Sequence, residues 1–190
     1  MDNDAINSLT KKWTANLVYY FEDFDNETHS QRLSAYIDQK PLDKFKEANL
    51  IELNKERDRW KLTNKGIDLL ESIKNIYQSG RIFPLPLPFR QYYVNCKLEY
   101  NMEVKDGNVY DGLRETALKD RSRDVRRKVA EYLEYKGKLN YKTATSLAKD
   151  KDPELRKLAA KHTVASLYWE ETDYGVIRYM VENKLADAPW

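Results

Sequence analysis

The sequence has almost none of the residues that hold small proteins together by covalent or metal bonds. Its 190 residues include one cysteine, Cys96, and two histidines, His29 and His162. A lone thiol forms no internal disulfide, and three such residues are too few for a zinc site of the usual Cys/His type, so no metal and no cofactor is expected. Cys96 reads as a small buried apolar side chain. Glycine and proline, six of each, are scarce, which leaves few interruptions to helix. Apolar runs are short too, and none approaches the ~18 consecutive residues that a membrane-spanning helix needs. The opening MDNDAINSLTKKW is acidic and then polar, unlike a secretory leader. These absences set the expectation of a cytoplasmic protein with no membrane or metal partner.

What is present is charge and aromatic surface. Charged residues make up 34% of the chain, and aromatics 12%, with 14 Tyr and 4 Trp. Disordered chains are poor in aromatics, so this composition argues for folded cores despite the polarity. The length allows one large domain or two small ones. The Lys-, Asn- and Tyr-rich usage is common in AT-rich genomes, those of many phages included. The net charge of +2 is unevenly spread: residues 119–161 carry 14 Lys+Arg against 7 Asp+Glu, while residues 1–80 carry 12 against 14. The one strongly basic block, opening KDRSRDVRRK, is where an anionic partner would bind.

Along residues 5–22, Ile6, Leu9, Trp13, Leu17 and Tyr20 share one helical face. DFDNET then reads as turn, and HSQRLSAYI, about 29–37, as a short helix. Pro41 suits the first turn of a third helix, PLDKFKEANL, and Asn49 suits the left-handed position where that helix ends. LIELN and RWKLT, separated by KERD, read as a hairpin with Ile51, Leu53, Trp60 and Leu62 on one buried face. Thr63 then caps a fourth helix carrying Ile67, Leu70, Ile73, Ile76 and Tyr77. FKEANLIEL and RWKLTNKGIDLL resemble the winged helix-turn-helix pattern, in which a recognition helix ends at EAGLIE and the wing returns through LTxKGxxLL. The resemblance covers about residues 5–78, with Asn49 where the family has Gly. It implies that the third helix, with Lys44 and Lys46, enters a major groove of double-stranded DNA. The wing, with Lys55, Arg57 and Arg59, would touch backbone. Against this, residues 38–74 hold 9 basic and 8 acidic residues, a weak field for a duplex binder, and many winged helices bind protein instead.

RIFPLPLPF, residues 81–89, places Pro84, Pro86 and Pro88 at alternate positions and reads as a stiff, extended boundary. YVNCKLEYNMEV alternates Val94, Cys96, Leu98, Tyr100, Met102 and Val104 with polar residues, the pattern of a half-buried strand. Phe89, Tyr93, Cys96, Tyr100 and Val104 equally fit a helix; strand is the favoured reading.

The C-terminal part repeats. Shifted by thirty residues, ALKDRSRDVRRKVA at 117–130 meets LAKDKDPELRKLAA at 147–160. Each unit reads as two antiparallel helices, 111–119 with 123–135 and 140–149 with 153–163. Ser122 and Asp152 sit at N-caps. Buried positions are Val125, Val129, Tyr132 and Leu133 in one copy, and Leu155, Leu158, Ala159 and His162 in the other. The pattern resembles HEAT-like repeats, whose helix pairs stack into a solenoid. A third unit is expected near 164–186 without the repeat residues, with Trp169 and Trp190 as capping anchors. The resemblance implies bonds between neighbouring units from Asp120, Arg126, Asp150 and Arg156. Arg121, Arg123, Arg127, Lys128, Lys151 and Lys157 are left as solvent-face cations for DNA backbone or another anionic partner.

The expected fold is therefore mainly α. A winged-helix domain (1–80, α with a small β-hairpin) is followed by a Pro-rich connector with a strand or hairpin (81–110) and a short α-solenoid of HEAT-like helix pairs (111–190). No phosphate loop, metal-spaced histidine pair or nucleophile elbow is present, so no enzyme is expected. Two functions fit: a non-enzymatic DNA-binding regulator, nucleoid-associated if so, or an adaptor or inhibitor that docks protein partners. A repeat-type DNA glycosylase using Trp169 and Asp173 is the enzymatic alternative, and two or three repeats are too few to build its cleft.

Overall fold

Asn49 decides where the first described helix stops. In the computed structural model, which describes residues 27–29, 39–56, 58–98, 107–168 and 170–185, α1 (Gln39–Glu47) holds Pro41 in its first turn and buries Leu42 and Phe45. Asn49 then takes a left-handed φ of 56°, and its N–H and that of Leu50 bond back to the carbonyls of Lys46 and Phe45. This closes the helix end and turns the chain into a strand.

β2 (Ile51–Asn54) and β3 (Arg59–Leu62) pair antiparallel, with Leu53 opposite Trp60. β1 (Glu27–His29) adds to the free side of β3, giving a three-stranded sheet in the order β1-β3-β2. His29 is thus in a strand, where the sequence suggested the start of a helix. Ile51, Trp60 and Leu62 are buried, whereas Leu53 is 38% exposed, so the buried face expected of the hairpin does not include it. The Thr63 hydroxyl donates to the Asn49 carbonyl and accepts from the Gly66 N–H. One side chain therefore caps α2 (Asn64–Ser79) and ties it to the end of α1.

The expected strand after the prolines is instead helical. Pro88 lies in the first turn of α3 (Leu87–Tyr92), where a missing N–H is harmless, and a wider π-helical turn, Tyr93–Lys97, continues it. Phe89, Tyr93, Val94 and Leu98 are buried. That spacing is helical, and alternation alone could not distinguish it from a strand. Tyr77 and Tyr93 lock the segment onto α2. The Tyr77 hydroxyl donates to the Phe89 carbonyl at 3.1 Å, the Tyr93 hydroxyl to the Tyr77 carbonyl at 3.1 Å, and their ring centroids lie 4.9 Å apart.

The chain divides into two units, Met1–Gln78 with Pro84–Asn95, and Ser79–Phe83 with Cys96–Trp190. The second contains α4 (Gly107–Lys119), α5 (Arg123–Tyr135), α6 (Tyr141–Leu147), α7 (Pro153–Ala160), a 3-10 turn (Ala165–Tyr168) and α8 (Tyr174–Glu182). Its core is Leu113, Ala117, Val125, Val129, Leu133, Leu147, Leu155, Ala159 and Val176, all fully buried. His162 is not among them; it is half-buried beyond the end of α7, with Nε2 3.6 Å from Glu134. Residues 79–83 lie on α4. Buried Thr116 donates its hydroxyl to the Gly80 carbonyl and accepts from the Ile82 N–H. Among the described residues no helix is long and apolar enough to cross a membrane. The expected helices over 5–22 and 30–37, residues 99–106, Arg57, Trp169 and Trp190 lie outside the described residues.

Gly112 is where 79–83 comes closest to α4, since a Cβ there would collide with the Ser79 carbonyl. Gly112→Ala should therefore destabilise the protein by about 1–3 kcal/mol, the usual cost of overpacking. Urea unfolding should show a lower midpoint with an unchanged slope.

Candidate nucleic-acid interface

The second unit is organised by a repeated arginine bond. Arg126, on α5, donates Nη1 to the Asp120 carbonyl at 3.0 Å, and Nε and Nη2 to the two oxygens of Asp150 at 3.0 and 2.9 Å. Arg156, on α7, repeats this one unit on. It bonds the Asp150 carbonyl at 2.9 Å and both oxygens of Glu171, at 2.6 and 3.0 Å. Each guanidinium thus joins two consecutive interhelix turns. The acidic anchors also cap their own turns: Asp120, Asp150 and Glu171 accept the N–H of Ser122, Asp152 and Asp173, respectively. Those three residues in turn are the N-caps of α5, α7 and α8.

The third unit, expected near 164–186 without the repeat residues, keeps two of them: Glu171 and Asp173 stand where Asp150 and Asp152 stand one unit earlier. Counted from each N-cap, position +3 is Val125, Leu155 or Val176, and position +7 is Val129, Ala159 or Met180, all buried. The spacing between the last two caps is 21 residues, not 30, because the short 3-10 turn stands where the other units have a full first helix. The signal was therefore in the sequence, but at another offset. At position +4, Arg126 and Arg156 give way to Ile177, so the ladder stops there. Asp173, the candidate glycosylase acid, is occupied as an N-cap and lies 3.9 Å from Arg156.

The ladder also decides which cations face outward. Arg127 does not: it forms a two-pronged bond to Asp152 at 2.9–3.2 Å, because the N-cap carboxylate of the next unit lies beside it. Lys157 pairs with Glu154 at 2.9 Å. Arg123 is exposed, with Asp124 3.6 Å away, and Lys128 is exposed on α5. Arg121 and Lys151 are exposed on adjacent turns. They share those turns with two residues not singled out from sequence, Lys119, which is 3.5 Å from Glu115, and exposed Lys149. Buried Asp120 is thus flanked by Lys119 and Arg121, and Asp150 by Lys149 and Lys151. One guanidinium grips both turns, so the two exposed cation pairs lie on turns that are bonded together. At the third turn Glu170 and Thr172 flank Glu171, and the positive edge ends.

The first unit gathers its cations less. Lys46 lies 3.8 Å from Asp43 and 4.6 Å from the centre of the Trp60 ring, and Lys61 pairs with Glu52 at 2.8 Å. Lys44 is on α1, Lys55 is exposed in the hairpin turn, and Arg59 is half-buried on β3. Among the described residues no three His, Cys, Asp or Glu side chains form a group that could hold a metal.

Burial alone would make the Asp152 carboxyl harder to ionise. The bond from Arg127, the Glu154 N–H and the charges of Arg127 and Arg123 outweigh it and hold the group below the usual carboxylate range. Glu171 behaves alike: burial raises it, but Arg156 and the N–H groups of Asp173 and Thr172 lower it further. Bonding to Glu171 raises Arg156, and bonding to Asp152 raises Arg127.

No protein-family model matches this chain, and no curated protein or solved structure matches it either.

A carboxylate that is more acidic folded than unfolded favours folding above its unfolded pKa, about 4. That contribution is lost as pH falls through the lowered native value. The melting temperature should therefore hold from neutrality to about pH 5 and drop below it. In Arg127→Gln/Arg156→Gln it should start lower and fall less steeply with acid. Equal acid slopes would show that these pairs do not carry the pH dependence.

Proposed function

We propose that the chain is a non-enzymatic DNA-binding regulatory protein. In this reading the first unit is a winged helix, with α1 as recognition helix and β2-β3 as wing. The second is a short HEAT-like solenoid whose turn edge grips duplex backbone. The observation that carries the reading is the pairing of Lys119 and Arg121 with Lys149 and Lys151 around two arginine-bonded acidic anchors, buried Asp120 and part-buried Asp150, on neighbouring turns. Cations that only keep a protein soluble need no fixed spacing. A row held by a bonded scaffold is already ordered before phosphate arrives, and each neutralised phosphate releases counterions. Backbone contacts of this kind position a protein on DNA without reading bases, so any sequence preference would fall to α1.

A second reading has one observation in its favour. Lys46 and Lys61 in the first unit are matched by acidic residues of the same unit, which suits a winged helix that docks on protein. On that reading the winged helix and the short solenoid would both be docking surfaces for protein partners, and the chain would act as an adaptor or inhibitor.

Titration of a labelled duplex of about 20 base pairs at several salt concentrations tests the reading. Each phosphate contact adds about 0.9 to the salt slope, so Arg121→Ala/Lys151→Ala should weaken binding and flatten the slope by about 2. Its melting temperature should not change. Unaltered duplex affinity in this variant would remove the edge from the interface. No duplex binding by the unmodified protein at low salt would leave the docking reading.

A further inference from the structure

The turn joining α5 to α6 carries a different surface. Its sequence, YKGKLNYK at 135–142, alternates aromatic and basic residues and contains no acid. Tyr135 is 75% exposed and Tyr141 58%, so two large rings face water where burial would normally favour them. The turn that carries them is rigid. Gly137 adopts a φ of 64°, and its N–H and that of Lys138 close onto the Glu134 and Leu133 carbonyls. Leu139 is buried. Arg114 on α4 donates Nε to the Lys138 carbonyl at 3.0 Å, and Asn140 caps α6. Lys136 lies 5.3 Å from the Tyr135 centroid and 5.6 Å from that of buried Tyr132, and Lys138 lies 5.5 Å from that of Tyr110 on α4. Neighbouring carboxylates are largely engaged, Glu134 by Lys161 at 3.0 Å and Asp111 by Arg114, which leaves Glu131 exposed on α5.

We propose that this turn is a stacking platform for single-stranded nucleic acid, with Tyr135 and Tyr141 each taking the face of an unpaired base and Lys136, Lys138 and Lys142 holding the phosphates between. Every base presents a π-face, so such a surface binds with little sequence preference. The charge and the flat apolar rings together fit a polyanion of bases better than an acidic protein, which would leave the rings without flat partners. The platform stands apart from the duplex edge on the 119–121 and 149–151 turns, so either site can fail without the other.

The test is fluorescence anisotropy of labelled oligo(dT) and oligo(rU) strands of about 15 nucleotides, the upper range of a single binding module. An abasic strand of equal length is the control for charge alone. The intact chain should bind at least one base-bearing strand more tightly than the abasic one. Tyr135→Ala/Tyr141→Ala should lose about tenfold or more, and Tyr135→Phe/Tyr141→Phe should keep most of the affinity. Arg121→Ala/Lys151→Ala should leave single-strand binding in place, which separates this site from the duplex reading. Equal binding of abasic and base-bearing strands, or no loss in the alanine pair, would overturn the proposal. So would a chain that binds no single strand but forms a dimer which the alanine pair dissociates, since a second copy would then cover the rings.

Discussion

Arg126 reaches two turns that are thirty residues apart in sequence, and the second unit depends on that reach. Its fork takes a backbone carbonyl from its own turn and both carboxylate oxygens from the next, and Arg156 extends the chain of bonds to Glu171. The fork uses three donors held in one plane; lysine, a point charge on a flexible stem, could not reproduce it. The apolar residues at +3 and +7 from each cap supply the burial that drives packing. The guanidinium sets the register in which those faces meet, since its donors are satisfied only when consecutive turns are aligned. Fixing register is the best-attested use of such partly buried ion pairs, which seldom stabilise a fold more than a well-packed apolar substitute would.

The same bonds separate structural charge from available charge. The basic block invites a count of every Lys and Arg towards a polyanion, but Arg126, Arg127 and Arg156 are all committed to carboxylates of the next unit. What remains exposed is arranged by the scaffold: cations flank Asp120 and Asp150, the two aspartates bonded to Arg126. The edge is two turns long, because the third turn carries Glu170 where the others carry lysine.

The sequence showed the second unit more clearly than the first. A thirty-residue offset made two units and four bonded residues legible, and helix bounds there fall close to those expected, because N-caps, buried faces and Pro153 all agree. Glu171 was hidden because a shortened helix moved it to an offset of 21. Arg127 was misread as solvent-facing because the N-cap of one unit doubles as the acceptor for its neighbour, a contact that no pattern within a single helix contains. The segment at 93–98 was ambiguous in principle, since its apolar residues satisfy both periods until Tyr77 and Tyr93 select the helix. Leu53 alternates like a core residue, and alternation along one strand does not show that it is left 38% exposed.

The most direct measurement is a double-mutant cycle on Arg156 and Glu171, the rung that sequence periodicity did not reveal. Equilibrium unfolding of the parent, Arg156→Ala, Glu171→Ala and the double variant should give a coupling of about 1–3 kcal/mol, the range for residues in direct contact within one bonded network. A coupling near zero would mean that the third turn is held by packing alone, which would contradict the ladder as the element that aligns the units.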